Sequence, residues 1–218
     1  MKSVNIRNKS EKYEIGKIVC VGRNYAAHAE ELGNEIPEFP LIFLKPASAA
    51  VPSGSEIIYP DYSTDMHHEI ELLLLIGKTI KNASAEEAEE AIIAYGIGLD
   101  MTLRDVQNNL KQKGHPWTLA KCFDTSAVIS EFVSKTDYKL TQNEIISLKV
   151  NGEIRQSSSL SLMLFNPAEI VKFLSEKMTL EKGDVIFTGT PKGVGKVEKG
   201  DLLFGEIENL MSLTAKVI

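Results

Sequence analysis

The dipeptide Asn151-Gly152 is the feature that most constrains how this chain can fold. It separates two strand-like runs, residues 144–150 and 153–157. Asn and Gly accept the left-handed backbone that a two-residue hairpin turn requires, so this segment predicts a β-hairpin. Other short apolar runs between turn residues follow the same pattern, and the helical segments among them are brief. The sequence therefore predicts a strand-rich α+β fold built around a curved sheet.

Apolar runs, turn residues and helix-capping residues predict the remaining strands and helices. We predict further strands at residues 17–21, 41–44, 69–76, 95–99, 184–187, 202–207 and 211–218. We predict helices at residues 25–32, 85–93, 104–113 and 167–176. The capping and stop residues of these helices are Asn24, Ser84 with Glu87, Asn166 before Pro167, Gly33 and Gly114.

The length of 218 residues suits one domain with a sizeable core. We expect a short N-terminal arm, residues 1–16, followed by a single domain over residues 17–218. No repeat, low-complexity tract or Pro/Gly-rich linker divides this second segment.

Charge and hydropathy exclude two classes of partner. The net charge is −6 and no basic stripe is present, so a nucleic-acid partner is not expected. No apolar run approaches the roughly 18–20 residues of a membrane helix, so no membrane contact is expected. The first 16 residues have neither a signal-peptide nor a transit-peptide pattern. We therefore expect a cytoplasmic protein in which Cys20 and Cys122 are reduced.

Three acidic residues form the first candidate site. Glu69 and Glu71 are two apart on a predicted strand and so face the same side, and Asp100 directly follows a buried strand. If the three carboxylates converge, they form a set of hard oxygen ligands that suits Mg²⁺ or Mn²⁺ better than Zn²⁺. The alternative is a half-buried strand with acids facing water, together with an ordinary turn aspartate.

His28 and Glu31 form a second candidate pair. They are three apart on a predicted helix and share a face. A carboxylate beside a histidine orients the ring and favours its charged form, and such a pair can take a proton from water. The alternative is a surface pair of small energetic value.

A third group of residues is suited to an anionic substrate. Arg104 and Gln107 share a helix face, and the Arg fork matches a carboxylate. Lys121 follows an apolar segment, where a buried amine needs an anionic partner. Ordinary surface charge is the alternative for each. The Gly-rich segment at residues 188–195 fails the phosphate-loop pattern and instead predicts a tight loop that approaches a substrate.

Taken in chain order, these motifs resemble the fumarylacetoacetate hydrolase family, and the resemblance covers residues 18–218. It is closest to the compact acylpyruvate hydrolase and oxaloacetate decarboxylase type. The motifs are Val21-Gly22-Arg23-Asn24-Tyr25 with His28, Phe43-Leu44-Lys45-Pro46, His68-Glu69-Ile70-Glu71-Leu72, Gly98-Leu99-Asp100-Met101-Thr102 with Arg104-Asp105, Pro116-Trp117-Thr118-Leu119-Ala120-Lys121, Lys149-Val150-Asn151-Gly152-Glu153 and Thr188-Gly189-Thr190-Pro191.

The resemblance implies a mixed β-sandwich roll, a homodimer and a set of residue roles. Residues 17–218 would form the catalytic domain. Glu69, Glu71 and Asp100 would bind Mg²⁺ or Mn²⁺, and His28 with Glu31 would activate water on a lid segment. Lys121 would lie beside the substrate. The substrate-binding positions would be Arg23, Arg104, Gln107 and Thr190.

The expected reaction is cleavage of a carbon–carbon bond in a small 2-oxo acid. It would be acylpyruvate hydrolysis, oxaloacetate decarboxylation or both, through a pyruvate enolate that the metal ion stabilises. One alternative is an isomerase or hydratase that acts on 2-hydroxy-diene dioates. A second alternative is a dicarboxylate binder without catalytic activity.

Overall fold

A computed structural model describes residues 2–31, 33 and 35–218 of the chain. Its helices are α1 (Ala26–Glu31), α2 (Ala85–Ala91), α3 (Arg104–Gln112), α4 (Thr118–Lys121) and α5 (Pro167–Lys177). Its strands are β1 (Ser3–Asn5), β2 (Lys12–Glu14), β3 (Lys17–Gly22), β4 (Leu41–Pro46), β5 (Ala50–Pro52), β6 (Glu56–Ile57), β7 (Met66–His68), β8 (Ile70–Ile76), β9 (Ile92–Asp100), β10 (Thr102–Leu103), β11 (Ala127–Ile129), β12 (Val133–Ser134), β13 (Ile145–Val150), β14 (Glu153–Ser159), β15 (Val185–Phe187), β16 (Gly195–Lys196), β17 (Leu202–Ile207) and β18 (Met211–Val217).

Two sheets dominate the described part of the chain. An eight-stranded sheet has the order β4-β3-β15-β8-β9-β11-β5, and β12 also pairs with β9. A five-stranded sheet has the order β14-β13-β17-β18-β6. The short strands β10-β7-β16 and β1-β2 form two further sheets. This mixture of parallel and antiparallel strands with scattered short helices confirms the predicted strand-rich α+β fold.

The two faces of strand β8 pack into different hydrophobic clusters. Ile70, Leu72 and Leu74 lie in the larger cluster, together with apolar residues of the five-stranded sheet and of helices α2 and α5. Leu73 and Leu75 lie in a second cluster on the opposite face. Because both faces are covered, every residue of β8 is buried. The alternative of a half-buried strand with acids facing water is therefore wrong for β8.

The segment expected to be an N-terminal arm forms the hairpin β1-β2. Val4, Tyr13 and Ile15 of this segment are buried in the second cluster, where they cover the eight-stranded sheet. None of the helices in the described residues is long and apolar enough to cross a membrane.

Most predicted strands and helices are present, including the hairpin at Asn151 and Gly152. These two residues have φ values of 52° and 85°, the left-handed backbone expected of the turn. The capping boxes at Ser84 and at Asn166 are also formed. Helix α2 ends at Ala91, before the predicted end at residue 93, because Ile92 already pairs with Ile76 in the sheet.

Asn24 does not cap helix α1, contrary to the prediction. Its side-chain amide donates to Phe165 O at 2.9 Å and to Thr188 O at 2.8 Å, and its side-chain oxygen accepts from Phe165 N at 2.7 Å. Asn24 therefore connects its own segment to two distant segments and does not cap the helix. The predicted end of the helix at Leu32 lies outside the described residues.

Gly98 is the position on β9 where a side chain would disturb the central sheet most directly. A Cβ there would lie 2.8 Å from Leu73 Cδ1 and from Val128 O, and 2.9 Å from Phe187 Cε1. We expect Gly98→Ala to lower the free energy of unfolding by about 1–3 kcal/mol through overpacking. Chemical denaturation measures this loss, and unchanged stability would show that the strands shift to accept the methyl group.

Candidate metal centre

The antiparallel pairing of β8 with β9 places three carboxylates on one side of the sheet. Ile70 pairs with Leu99 and Glu71 with Gly98, and Asp100 N donates to Glu69 O at 2.9 Å. Glu69 and Asp100 therefore lie opposite each other, and Glu71 follows two residues along the same face. One oxygen from each carboxylate lies within 4.8 Å of the other two. The predicted convergence of these acids is present in the structure.

Glu69 and Asp100 are held by buried cations. Lys121 Nζ lies 2.8 Å from Glu69 Oε2 and 2.6 Å from Asp100 Oδ2. Arg104 forms a further ion pair with Glu69. Burial alone would raise the pKa of Glu69, but Lys121 and Arg104 together lower it below its ordinary value. Glu69 is therefore ionised at neutral pH even though it is buried.

Glu71 is in a different electrostatic position. Among the described residues, no cationic side chain forms an ion pair with it, and Gly189 N donates to its Oε2 at 2.7 Å. Burial raises the pKa of Glu71 well above its ordinary value, and Asp100 and Glu69 raise it further. A buried carboxylate beside two others is stabilised in its ionised form only if a cation approaches it.

The donor set fits a hard divalent cation. The oxygens come from Glu69, Glu71 and Asp100, which are 5%, 2% and 0% exposed. Carboxylate oxygens with remaining positions for water or substrate suit octahedral Mg²⁺ or Mn²⁺. The ammonium group of Lys121 lies between Glu69 and Asp100 and supplies positive charge to both carboxylates. These residues would hold the metal ion that the sequence motifs imply.

Lys45 is a site residue that sequence analysis left without a role. It is 1% exposed, and its Nζ lies 2.8 Å from Asp100 Oδ1 and donates to Ser126 Oγ at 3.0 Å. It also donates to the backbone oxygens of Met101 and Lys121. A lysine inside an apolar strand, as in Ile42-Phe43-Leu44-Lys45, is the signal that could have found it, because such an amine needs an anionic partner.

Helix α3 presents a row of polar side chains to the same cavity. Arg104 and Gln107, both predicted, are joined by a hydrogen bond of 2.7 Å from Arg104 Nη1 to Gln107 Oε1. Lys111 lies four residues further on and also lines the cavity. Sequence analysis missed Lys111, although its spacing from Gln107 places it on the same helix face.

His67 and His68 both make polar contacts behind the carboxylates. His67 Nε2 lies 3.0 Å from Asp65 Oδ1, and Arg104 Nε donates to His67 Nδ1 at 3.5 Å. His68 Nδ1 lies 2.9 Å from the Gln156 side-chain oxygen. His67 therefore contacts Arg104, a predicted site residue, and His68 contacts Gln156 on β14.

His28 and Glu31 lie next to each other at the mouth of the cavity. His28 Nδ1 is 3.4 Å from Glu31 Oε2, and Gly193 N donates to both oxygens of Glu31 at 3.0 and 3.1 Å. Burial lowers the pKa of His28, and this effect exceeds the raising effects of Glu69 and Glu31. Glu31 favours the charged form of the ring, as predicted, but the effect of burial is larger. His28 is neutral near neutral pH and free to accept a proton.

All predicted site residues except Glu31 line one cavity. It has a volume of about 40 Å³, and its lining includes the three carboxylates, His28, Lys121, Arg23, Arg104, Gln107 and Thr190. Glu31 lies behind His28. An open groove of about 410 Å³, lined by Leu41–Leu44, His115–Thr118 and Lys121, adjoins the cavity and shares Phe43 and Trp117 with it. Tyr25 is buried and contacts neither space.

Comparison with known proteins places this geometry in a family. The sequence profile described as fumarylacetoacetate (FAA) hydrolase C-terminal matches residues 17–218. Oxaloacetate tautomerase FAHD1, mitochondrial, from Bos taurus is 45% identical over 212 residues, which cover 97% of this chain and 96% of the relative.

Two solved structures resemble the whole fold. Fumarylpyruvate hydrolase from Pseudomonas aeruginosa, in complex with Mn²⁺ and pyruvate, has a TM-score of 0.95 and 40% identity and covers 100% of this chain and 95% of its own. A 5-carboxymethyl-2-hydroxymuconate delta-isomerase from Mycobacterium smegmatis has a TM-score of 0.83 and 39% identity, with 94% of this chain and 80% of its own covered.

Glu71→Gln and Glu69→Gln are matched substitutions with opposite expected effects on the metal-free protein. The raised pKa of Glu71 gives stability that is present at low pH and is lost as pH rises through that pKa. Neutral Gln avoids this loss, so we expect Glu71→Gln to be as stable as the unsubstituted protein or more stable at mildly alkaline pH. Glu69→Gln removes the carboxylate partner of buried Arg104 and one of the two carboxylate partners of Lys121, and it is expected to cost about 3–5 kcal/mol.

Thermal unfolding in EDTA and in excess Mn²⁺ measures both effects. We expect Mn²⁺ to raise the unfolding temperature of the unsubstituted protein and of neither variant, because each variant lacks one of the three carboxylates that could hold the ion. A Glu71→Gln protein that is clearly less stable in EDTA would contradict the account of Glu71 as a carboxylate without a cationic partner.

Proposed function

Because the chain belongs to the fumarylacetoacetate hydrolase family, we propose that it cleaves a carbon–carbon bond in a small 2-oxo acid, with Mg²⁺ or Mn²⁺ as cofactor. The observation that carries this proposal is the buried set of Glu69, Glu71 and Asp100 beside His28 and Lys121. When a divalent cation is bound there, it acts as a Lewis acid that stabilises negative charge on the 2-oxo oxygen. The Mn²⁺ and pyruvate bound to the Pseudomonas aeruginosa relative support this assignment.

The charges of the site suit a substrate with two negative groups. Three carboxylates, Glu69, Glu71 and Asp100, face three cationic side chains, Lys45, Lys121 and Arg104. The formal charges of these six groups cancel, and Arg23 and Lys111 on the same wall add to the positive charge that a bound divalent cation would bring. The carboxylate of a 2-oxo acid and the oxyanion that develops at its carbonyl oxygen would compensate this positive charge.

Polar side chains on the cavity wall bind the substrate. The Arg104 guanidinium matches a carboxylate, and Gln107 holds its orientation through their hydrogen bond. Thr190 contributes a hydroxyl group, and Arg23 contributes a half-buried positive charge on the same wall. The adjoining groove beside Phe43 and Trp117 receives the acyl end of the substrate.

His28 and Glu31 carry the hydrolytic step. Neutral His28 takes a proton from water, and Glu31 stabilises the resulting imidazolium. The hydroxide adds to the distal carbonyl of an acylpyruvate, and Lys121 with Gln107 stabilises the oxyanion that forms. The bond between this carbon and C3 then breaks, and its electron pair passes to the pyruvate fragment as the enolate. Protonation at C3 completes the reaction and yields pyruvate and a carboxylic acid.

Decarboxylation of oxaloacetate needs no water attack. Loss of CO₂ leaves the same pyruvate enolate, which is then protonated. The same substrate-binding side chains therefore serve both reactions, and only hydrolysis depends on His28 as a base.

Oxaloacetate tautomerisation is a second candidate, favoured by the name of the Bos taurus relative. It moves a proton between C3 and the 2-oxo oxygen and breaks no carbon–carbon bond. The isomerase alternative is of the same proton-transfer type and is favoured by the Mycobacterium smegmatis structure. A binder without catalytic activity would not need the His28–Glu31 pair.

The organisation of the protein follows from the same proposal. Residues 17–218 form the catalytic domain, with residues 1–16 as an arm, and two copies associate as a homodimer. Exposed apolar side chains at Leu44, Leu119 and Tyr62 support a buried interface, and size-exclusion chromatography with light scattering tests it. The reduced cysteines favour the cytoplasm.

An ultraviolet assay on acetylpyruvate and oxaloacetate tests the function. The protein is assayed with Mg²⁺, with Mn²⁺ and with EDTA, against blanks that contain only the metal. We expect metal-dependent loss of substrate, with release of pyruvate measured by a coupled enzyme. Loss of the enol absorbance of oxaloacetate without pyruvate would instead establish the tautomerase. Inactivity on both substrates would direct the search to the diene dioates.

His28→Ala is expected to separate hydrolysis from decarboxylation. Removing the base should lower kcat for acylpyruvate hydrolysis by about 10²–10⁴-fold and should change oxaloacetate decarboxylation much less. The matched control is Glu30→Ala, because Glu30 is exposed on the same helix and lines neither the cavity nor the groove. Equal losses of both activities in His28→Ala would contradict the assignment of His28 as the water-activating base.

A further inference from the structure

Gln156 is a buried polar residue on strand β14, opposite the metal-binding strands, and no motif of the sequence pointed to it. It is 1% exposed. Its side-chain oxygen accepts from Ile70 N at 3.1 Å and lies 2.9 Å from His68 Nδ1. Its side-chain nitrogen donates to Thr190 Oγ1 and to Pro191 O, both at 2.8 Å. All four hydrogen-bonding positions of this amide are therefore used.

The orientation of the Gln156 amide is fixed by its partners. The Ile70 N–H group can only donate, so the atom facing it is the amide oxygen. The Pro191 carbonyl can only accept, so the atom facing it is the amide nitrogen. Because the amide oxygen of Gln156 can only accept, His68 Nδ1 must carry a hydrogen to form a hydrogen bond with it. A flipped amide would place its NH₂ group against the Ile70 N–H group and its oxygen against the Pro191 carbonyl oxygen.

This orientation determines what the Thr190 hydroxyl can do. Because the Gln156 nitrogen donates to Thr190 Oγ1, the hydroxyl accepts on that side and its own hydrogen points elsewhere. Among the described residues, Thr190 Oγ1 donates to no acceptor. Thr190 is 3% exposed and lines the same cavity as Glu71 and Asp100. Its hydrogen is therefore available to a group bound in that cavity.

We propose that Gln156 is a positioning residue that commits the Thr190 hydroxyl to donate its hydrogen to the carboxylate of the bound 2-oxo acid. The inference rests on the proposed function, since it takes the occupant of the cavity to be such an acid. A hydroxyl that can rotate freely donates to an anion only after it has been oriented, whereas a hydroxyl already held by Gln156 needs no reorganisation. Gln156 thereby acts on substrate affinity without touching the substrate.

The same segment of β14 also supports the water-activating pair. A Cβ on Gly193 would lie 2.2 Å from Arg155 O, so the backbone of β14 packs directly against this glycine. Gly193 N in turn donates to Glu31, the partner of His28. Strand β14 therefore holds the loop after β15 at two points, Thr190 through the Gln156 side chain and Gly193 through the Arg155 backbone.

The test reverses the polarity of the hydrogen bond without changing the size of the side chain. In Gln156→Glu, a carboxylate oxygen replaces the nitrogen that faces Thr190 Oγ1 and Pro191 O, so when the Glu is ionised the hydroxyl donates to it and is withdrawn from the substrate. Binding of pyruvate at saturating Mn²⁺ is measured by calorimetry, with KM and kcat measured in parallel. We expect binding to weaken and KM to rise by about 10–100-fold, because a hydrogen bond to a charged group is lost. We expect kcat to change much less.

A double-mutant cycle with Thr190→Val separates this role from a structural one. If Gln156 acts through the Thr190 hydroxyl, Gln156→Glu has almost no further effect on pyruvate binding in the Thr190→Val background. If it acts by charge repulsion or by loosening the fold, the two losses add, and additive losses would overturn the inference. Thr190→Ser retains the hydroxyl and is expected to bind nearly as the unsubstituted protein does.

Two controls complete the experiment. Gln112→Glu introduces the same charge at an exposed site on α3 and should leave pyruvate binding unchanged. Gln156→Met, a neutral side chain of similar length, replaces Gln156→Glu in the cycle if that protein does not fold. Absence of pyruvate binding by the unsubstituted protein would overturn the proposed function and this inference with it, whereas normal binding with additive losses overturns only the inference.

Discussion

Three carboxylates on neighbouring strands, Glu69, Glu71 and Asp100, are the constraint on which the rest of the site depends. Burying three negative charges within 4.8 Å of one another is strongly unfavourable unless cations surround them. The chain supplies Lys45 and Lys121 to Asp100, and Lys121 and Arg104 to Glu69. These cations come from a strand and two helices, so the position of each element is fixed by its partner carboxylate as well as by apolar packing.

The opposite wall of the cavity depends on hydrogen bonds instead of charges. Strand β14 comes from the hairpin at Asn151-Gly152 in the five-stranded sheet, yet Gln156 reaches the start of β8 and the loop after β15. The same loop holds Glu71 through Gly189 and Glu31 through Gly193. This loop therefore contacts Glu71 and Glu31 and carries Thr190, so a shift of the loop would displace all three proposed site residues together.

The sequence predicted the parts of the fold and site that depend on local patterns. Alternation and turn chemistry located the hairpin and β8, and the spacing of Glu69 and Glu71 placed both acids on one face. Features set by distant contacts were not predictable. Asn24 looks like a helix cap but bonds to Phe165 and Thr188, far along the chain. Gln156 has no local signature, and the neutral state of His28 follows from burial that only the folded chain creates.

The position of Lys121 has a consequence for the order of assembly in the cell. Its ammonium group already bridges Glu69 and Asp100, and Glu71 can remain protonated. The buried negative charges of the folded site are therefore compensated without a metal ion. Zinc fingers, by contrast, depend on their ion to fold. We therefore expect this chain to fold without a metal ion and to bind the ion afterwards from the surrounding divalent cations. Occupancy then becomes a variable that cellular Mg²⁺ and Mn²⁺ supply can set independently of protein abundance.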